Sequence, residues 1–76
     1  MVAAYVFIQY ESGDPVETLN AVRVVDGVKQ AHMVLGPTDV VAFIEAVDLE
    51  ALGETVKGIL AVEGTGRTDT RLAWPI

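Results

Sequence analysis

Cysteine is absent from the 76 residues, so disulfides and thiolate metal sites are excluded and no redox compartment is indicated. Histidine occurs once, at His32, with no second ligand at metal-binding spacing. Basic residues are also few. Five Lys and Arg stand against eleven Asp and Glu, for a formal net charge of −6, and the five are scattered. Phosphate backbones are held by clustered Lys and Arg, so direct nucleic-acid binding is not expected. No apolar run approaches the ~20 residues of a membrane helix. The N-terminal apolar stretch lacks a basic leader and ends after Tyr10 at Glu11. It reads as a strand of a soluble cytoplasmic protein without membrane attachment.

What the chain has in quantity is apolar surface. Hydrophobic residues make up 51% and the mean hydropathy is positive. This length gives one domain, 1–76, and a domain so small buries only about 60% of the surface its unfolded chain exposes. The surplus points to self-association, with a sheet or groove buried between copies.

The chain is organised around residues 35–40, Leu-Gly-Pro-Thr-Asp-Val. Runs rich in β-branched and apolar residues flank this segment, so it reads as the turn of a hairpin, with Thr38 and Asp39 able to hydrogen-bond backbone. Strand one spans 2–10 and is apolar on both faces, which requires cover on both. Asp14 as N-cap, Pro15 at the first position and Glu17 two residues on open a helix running to about Val24, with Val16, Leu19 and Val22 or Arg23 as its stripe. Strand two, 28–35, alternates Val28, Gln30, His32 and Val34 with Lys29, Ala31, Met33 and Leu35, a mixed polarity that suits a sheet edge. Strand three, 40–47, is more apolar and belongs further inside. Asp48 caps a second helix whose apolar face is Leu49, Leu52, Val56, Ile59 and Leu60, with Gly53 and Gly58 as sites of close packing. Gly64-Thr65-Gly66 reads as a connector, and Arg67 to Trp74 as the last strand, stopped by Pro75. The order β-α-β-β-α-β predicts an α+β, ferredoxin-like sandwich: a four-stranded antiparallel sheet with two helices on one face. Right-handed crossovers place strand three between one and two, and strand one between three and four. The bare sheet face then predicts a face-to-face dimer.

Two segments in this frame, Gly36-Pro37-Thr38-Asp39 and Gly64-Thr65-Gly66-Arg67-Thr68-Asp69-Thr70, give G-x-x-D between the central strands and G-x-x-x-T-x-T leading into the last. The chain thereby resembles the Lrp/AsnC effector-binding (RAM) domain over essentially its whole length. The resemblance implies sheet-to-sheet dimers assembling into a higher oligomer, and a free amino acid bound between dimers. It implies ligand contacts from Leu35, Gly36, Thr38 and Asp39, with the glycine backbone and the aspartate holding the α-carboxylate and α-ammonium, and from Thr68 and Thr70. It implies no cofactor, no metal and no catalysis. Full-length members carry an N-terminal DNA-binding domain. This chain begins at strand one and looks like a stand-alone module, open to hetero-association with a full-length regulator. Departures from the family pattern are Thr38 where an aromatic often precedes the aspartate, Thr65 where a hydrophobic residue often follows the glycine, and Pro37 in the turn.

Other residues have simpler readings. Arg67, Asp69 and Arg71 alternate charge along one face, as a solvated or inter-subunit ion-pair edge does. Trp74 reads as an interface or core anchor, and His32 as a partly buried interface residue. A second function class remains: a small dimeric α+β barrel enzyme, monooxygenase- or isomerase-like, with a cavity between helices and sheet lined by His32 or Tyr5. No acid–base pair or nucleophile motif supports it. An ACT-type regulatory domain shares the element order, but its ligand turn would be 11–14, which helix capping already explains.

Overall fold

In the computed structural model, which describes residues 1–74, β1 (Val2–Tyr10), α1 (Pro15–Arg23), β2 (Val28–Met33), β3 (Val40–Ala46), α2 (Leu49–Leu60) and β4 (Thr65–Leu72) follow in the expected order. The strands form one antiparallel sheet, ordered β2-β3-β1-β4. Both helices start where their caps dictate. The Asp14 carboxylate accepts from the Val16 amide at 2.9 Å and that of Asp48 from the Ala51 amide at 2.8 Å.

The core lies between the sheet and both helices. Ala4, Val6 and Ile8 of β1 alternate inward and meet Val40, Ala42 and Ile44 of β3; Leu19 and Val22 of α1 and Leu52 and Ile59 of α2 close over them. The alternate residues of the same strands, among them Tyr5, Phe7, Val41 and Phe43, lie on the face that no helix covers. Tyr5 and Phe43 stack there at 5.1 Å between ring centroids, and the Arg71 guanidinium sits 5.3 Å from the centroid of Phe7 while pairing with Asp69 at 3.0 Å.

The structure corrects several details. β2 ends at Met33, so Val34 and Leu35 belong to the turn. β2 also carries a bulge: Val28 opposes Ile44 but Gln30 opposes Phe43, which leaves Lys29 as the extra residue. Val28 therefore shares the helix side with Ala31, while Gln30 and His32 face the other way; simple alternation puts Val28 with them. β4 starts two residues early, because Thr65 already pairs with Tyr10, and it ends at Leu72. Thr65-Gly66 is thus strand, not connector. The expected stop at Pro75 lies outside the described residues. Leu49 and Leu60 are exposed, and the buried face of α2 is Leu52, Thr55 and Ile59; on α1, Val16 is exposed and Thr18 is buried. Gly58 packs closely, since an added Cβ would come within 2.8 Å of Val25 Cγ1, whereas Gly53 faces open space. Trp74 is 82% exposed and so anchors no core within this chain, and His32 is exposed as well.

The two buried threonines mark an internal symmetry. Thr18 donates to the Glu63 carbonyl at 3.2 Å, and Thr55 donates to the Asp26 carbonyl at 3.0 Å. Each helix thus reaches across to the loop that follows the other helix, Val25-Asp26-Gly27 or Val62-Glu63-Gly64. The loops are alike in detail. The Gly27 carbonyl accepts from the Glu45 amide at 3.0 Å and the Gly64 carbonyl from the Glu11 amide at 2.7 Å. The β4 bulge near Gly66 is the counterpart of the one at Lys29.

Candidate functional site

The segment between β2 and β3 is fixed at three points. The Val34 amide donates to the Asp39 carbonyl at 3.0 Å, the Asp39 amide to the Ile8 carbonyl at 3.1 Å, and the Tyr10 amide to Asp39 Oδ2 at 2.8 Å. Asp39 therefore ties the turn to the end of β1 rather than to the local backbone. Its other carboxylate oxygen, and the amides of Leu35, Gly36 and Thr38, have no hydrogen-bond partner among the described residues. Gly36 has φ +140, in the region that favours glycine.

A cleft of about 230 Å³ opens beside this turn, between the end of β1 and the first turns of α1. Met33, Val34, Leu35 and Val40 form one wall; Tyr10, Pro15 and Thr18 form the other, with Asp39 as the only charged residue among the described ones. The Tyr10 hydroxyl donates to the Gly13 carbonyl. Tyr10, Pro15 and Thr18 were not singled out from sequence. The alternation of β1 puts Tyr10 on the side of Val6 and Ile8, which was the available signal for it; nothing local marked Pro15 or Thr18 beyond helix capping and helix position.

Of the residues proposed from sequence, Leu35, Gly36, Thr38 and Asp39 are together in the turn, and Leu35 and Asp39 line the cleft. Thr68 and Thr70 are not with them. They pair with Ile8 and Val6, on the helix side of β4, with β1 between them and β3. Thr68 is half-buried and Thr70 exposed.

The residues of the enzyme reading are placed differently from its requirement. Tyr5 opposes Phe43 and His32 opposes Val41, both on the helix-free face rather than between helices and sheet. His32 also lines an open depression at the β2 edge beside Arg23 and Lys29. Asp26, Glu45, Asp48, Glu50 and Glu54 surround a wider hollow, yet no group of side chains among the described residues is arranged to hold a metal ion. No helix among them is long and apolar enough to cross a membrane.

The Arg23 side chain closes part of the sheet edge. β2 is the outer strand of the sheet, and Ala31 pairs with Ala42 of β3 on its inner side. Arg23 Nε donates to the Ala31 carbonyl at 2.9 Å.

The chain is thus a ferredoxin-like domain with a small cleft beside its β2–β3 turn. The comparison with known families is specific: residues 3–74 match the Lrp/AsnC ligand binding domain, and the chain belongs to that family. It is similar to TTHA0845 from Thermus thermophilus, with 32% identity over 100% of this chain and 96% of that one, and a TM-score of 0.89. Its fold is also that of E. coli AsnC, at 18% identity and a TM-score of 0.87 over 99% of this chain and 52% of that one. The complex of the transcriptional regulator NMB0573 with L-Met, from Neisseria meningitidis, matches at 18% identity and a TM-score of 0.84, over 97% of this chain and 50% of that chain. No curated protein matches the chain.

Proposed function

We propose that the chain is a non-enzymatic regulatory module that binds a free amino acid at the β2–β3 turn and self-associates through its helix-free sheet face. The observation that carries this reading is the joint presence, in one turn whose Leu35 and Asp39 line a small cleft, of an incompletely used carboxylate on Asp39 and the open amides of Leu35, Gly36 and Thr38. A zwitterion needs both: an acceptor for its α-ammonium and donors for its α-carboxylate. Family membership and the L-Met bound by the Neisseria regulator support the choice of ligand class.

Thr68 and Thr70 lie two strands from Asp39 within one chain, so on this reading they reach the ligand from another copy, at a site between dimers. The helix-free apolar face of Tyr5, Phe7, Val41 and Phe43 is the dimer contact, and the same surfaces admit mixed assembly with a full-length Lrp/AsnC regulator. Setting the module in the cytoplasm accords with that role.

The test is a thermal-shift screen of the twenty amino acids with light scattering on the same sample. A ligand at about 100 times its Kd stabilises the fold by about 2.7 kcal/mol. No stabilisation by any amino acid, together with a particle of 8.1 kDa at micromolar concentration, overturns the proposal.

A further inference from the structure

We infer that the effector taken at the Asp39 cleft, on the reading above, is an α-amino acid with an apolar, uncharged side chain. The size of the cleft sets the first limit. At about 230 Å³ it falls below the ~300–1,000 Å³ of pockets that hold drug-sized ligands and cofactors, so it suits one amino-acid-sized molecule.

The chemistry of the walls sets the second. Met33, Val34, Leu35 and Val40 present hydrocarbon and a thioether, and Pro15 has no N–H to give. The two hydroxyl protons in the lining are committed elsewhere, that of Tyr10 to the Gly13 carbonyl and that of Thr18 to the Glu63 carbonyl. Among the described residues the wall therefore offers no free side-chain donor. A side-chain amide or carboxylate that entered it would leave its oxygen without a partner, and a carboxylate would also face Asp39. The turn amides are the available donors, and the α-carboxylate needs them. A hydrocarbon side chain loses nothing on entry and covers the apolar walls.

The experiment is calorimetric titration of the wild-type protein with two near-isosteric pairs, leucine against asparagine and norleucine against glutamine, and with the series alanine, 2-aminobutyrate, norvaline, norleucine. Leucine and norleucine should bind about tenfold or more tightly than their amide counterparts, the cost of one unpaired oxygen. Each added methylene should tighten binding about fourfold if it is fully buried. Equal or better binding of asparagine and glutamine, or a flat series, overturns the inference while leaving the amino-acid reading intact. A further ligand separates the two claims from the other side. 4-Methylpentanoate keeps the carboxylate and side chain of leucine but lacks the ammonium. If it binds as tightly as leucine, the role given to Asp39 fails and the apolar wall stands. If no α-amino acid binds at all, both fail.

Discussion

The hydroxyl of Thr55 occupies the space that a side chain on residue 27 would need. Gly27 has φ +96, and a Cβ built on it collides with Thr55 Oγ1; Gly64, also at φ +96, stands in the same relation to Thr18 Oγ1. Glycine is required there twice over, by backbone conformation and by the approach of the helix that locks the loop.

The four glycines that test this point separate by sign. Gly27→Ala and Gly64→Ala should each cost about 2–4 kcal/mol, the sum of a left-handed residue's penalty and a disturbed threonine hydrogen bond. Gly13→Ala, at φ +87 with nothing within 4 Å of its added Cβ, should cost only about 1–2 kcal/mol. Gly53→Ala, in α2 with open space around it, should stabilise by up to about 1 kcal/mol. Urea denaturation of the four variants checks the ranking, and equal losses at positions 13 and 27 would refute the steric part of the account.

Asp39 has two tasks that a conservative exchange pulls apart. Asp39→Asn keeps an oxygen for the Tyr10 amide but removes the charge that an ammonium requires. Its denaturation midpoint should stay close to wild type while amino-acid affinity falls. Asp39→Ala should lose both, weakening binding by roughly 10- to 150-fold for a charge-assisted hydrogen bond of ~1.5–3 kcal/mol, with about 1 kcal/mol less stability from the orphaned Tyr10 amide. Titration and urea curves on both variants decide; unaltered affinity in Asp39→Asn would leave the residue a purely structural one.

The helix-free face should govern particle size without governing the fold. Tyr5 is 46% exposed and contributes nothing to the buried core, so Tyr5→Lys should leave the far-UV spectrum intact. A desolvated, unpaired ammonium opposes burial of that face against a second copy. Light scattering should therefore show the variant approaching 8.1 kDa where wild type is larger. A variant that assembles as wild type does would place the contact elsewhere.

Arg23 should act against association at the edge of β2. Arg23→Ala frees the carbonyl of Ala31 and removes a hydrogen bond, with about 1 kcal/mol of lost stability and faster growth of turbidity on prolonged incubation. Charge alone is a weaker guard than the Nε–H···O contact, so Arg23→Lys should fall between. An Arg23→Ala protein no more prone to precipitate than wild type would count against the role.

The order of elements was legible because each had its own mark: alternation or continuous apolarity in the strands, Asp14-Pro15 and Asp48 at the helix starts, glycine and proline at the turn. Strand order followed from connection rules acting on that sequence of elements. What stayed hidden were features whose partners are remote. Thr55 reads as a polar helix residue because its acceptor, the Asp26 carbonyl, is in another loop. The bulge at Lys29 leaves no compositional trace, so strict alternation runs straight through it and assigns Val28 to the wrong face. In the candidate site, the turn residues announced themselves by their spacing, whereas Tyr10, Pro15 and Thr18 join the cleft only when β1 and α1 fold against it. The separation of Thr68 and Thr70 from Asp39, by contrast, follows from the strand order that the connection rules already give, with β1 between their strands.

The sheet order and the crossed threonines together bear on how the chain can come apart. Taken as halves, β1-α1-β2 and β3-α2-β4 each contain two strands that are not neighbours; every ladder among the described residues, β2 with β3, β3 with β1 and β1 with β4, joins a strand of one half to a strand of the other. A polypeptide severed within 34–39 would yield two pieces with no strand pairing of their own, each holding a loop that waits for a hydroxyl from its complement. The halves are interleaved like the fingers of two hands, so neither can let go first. Melting has to be a single event, and the two fragments, mixed, should find their structure only in each other.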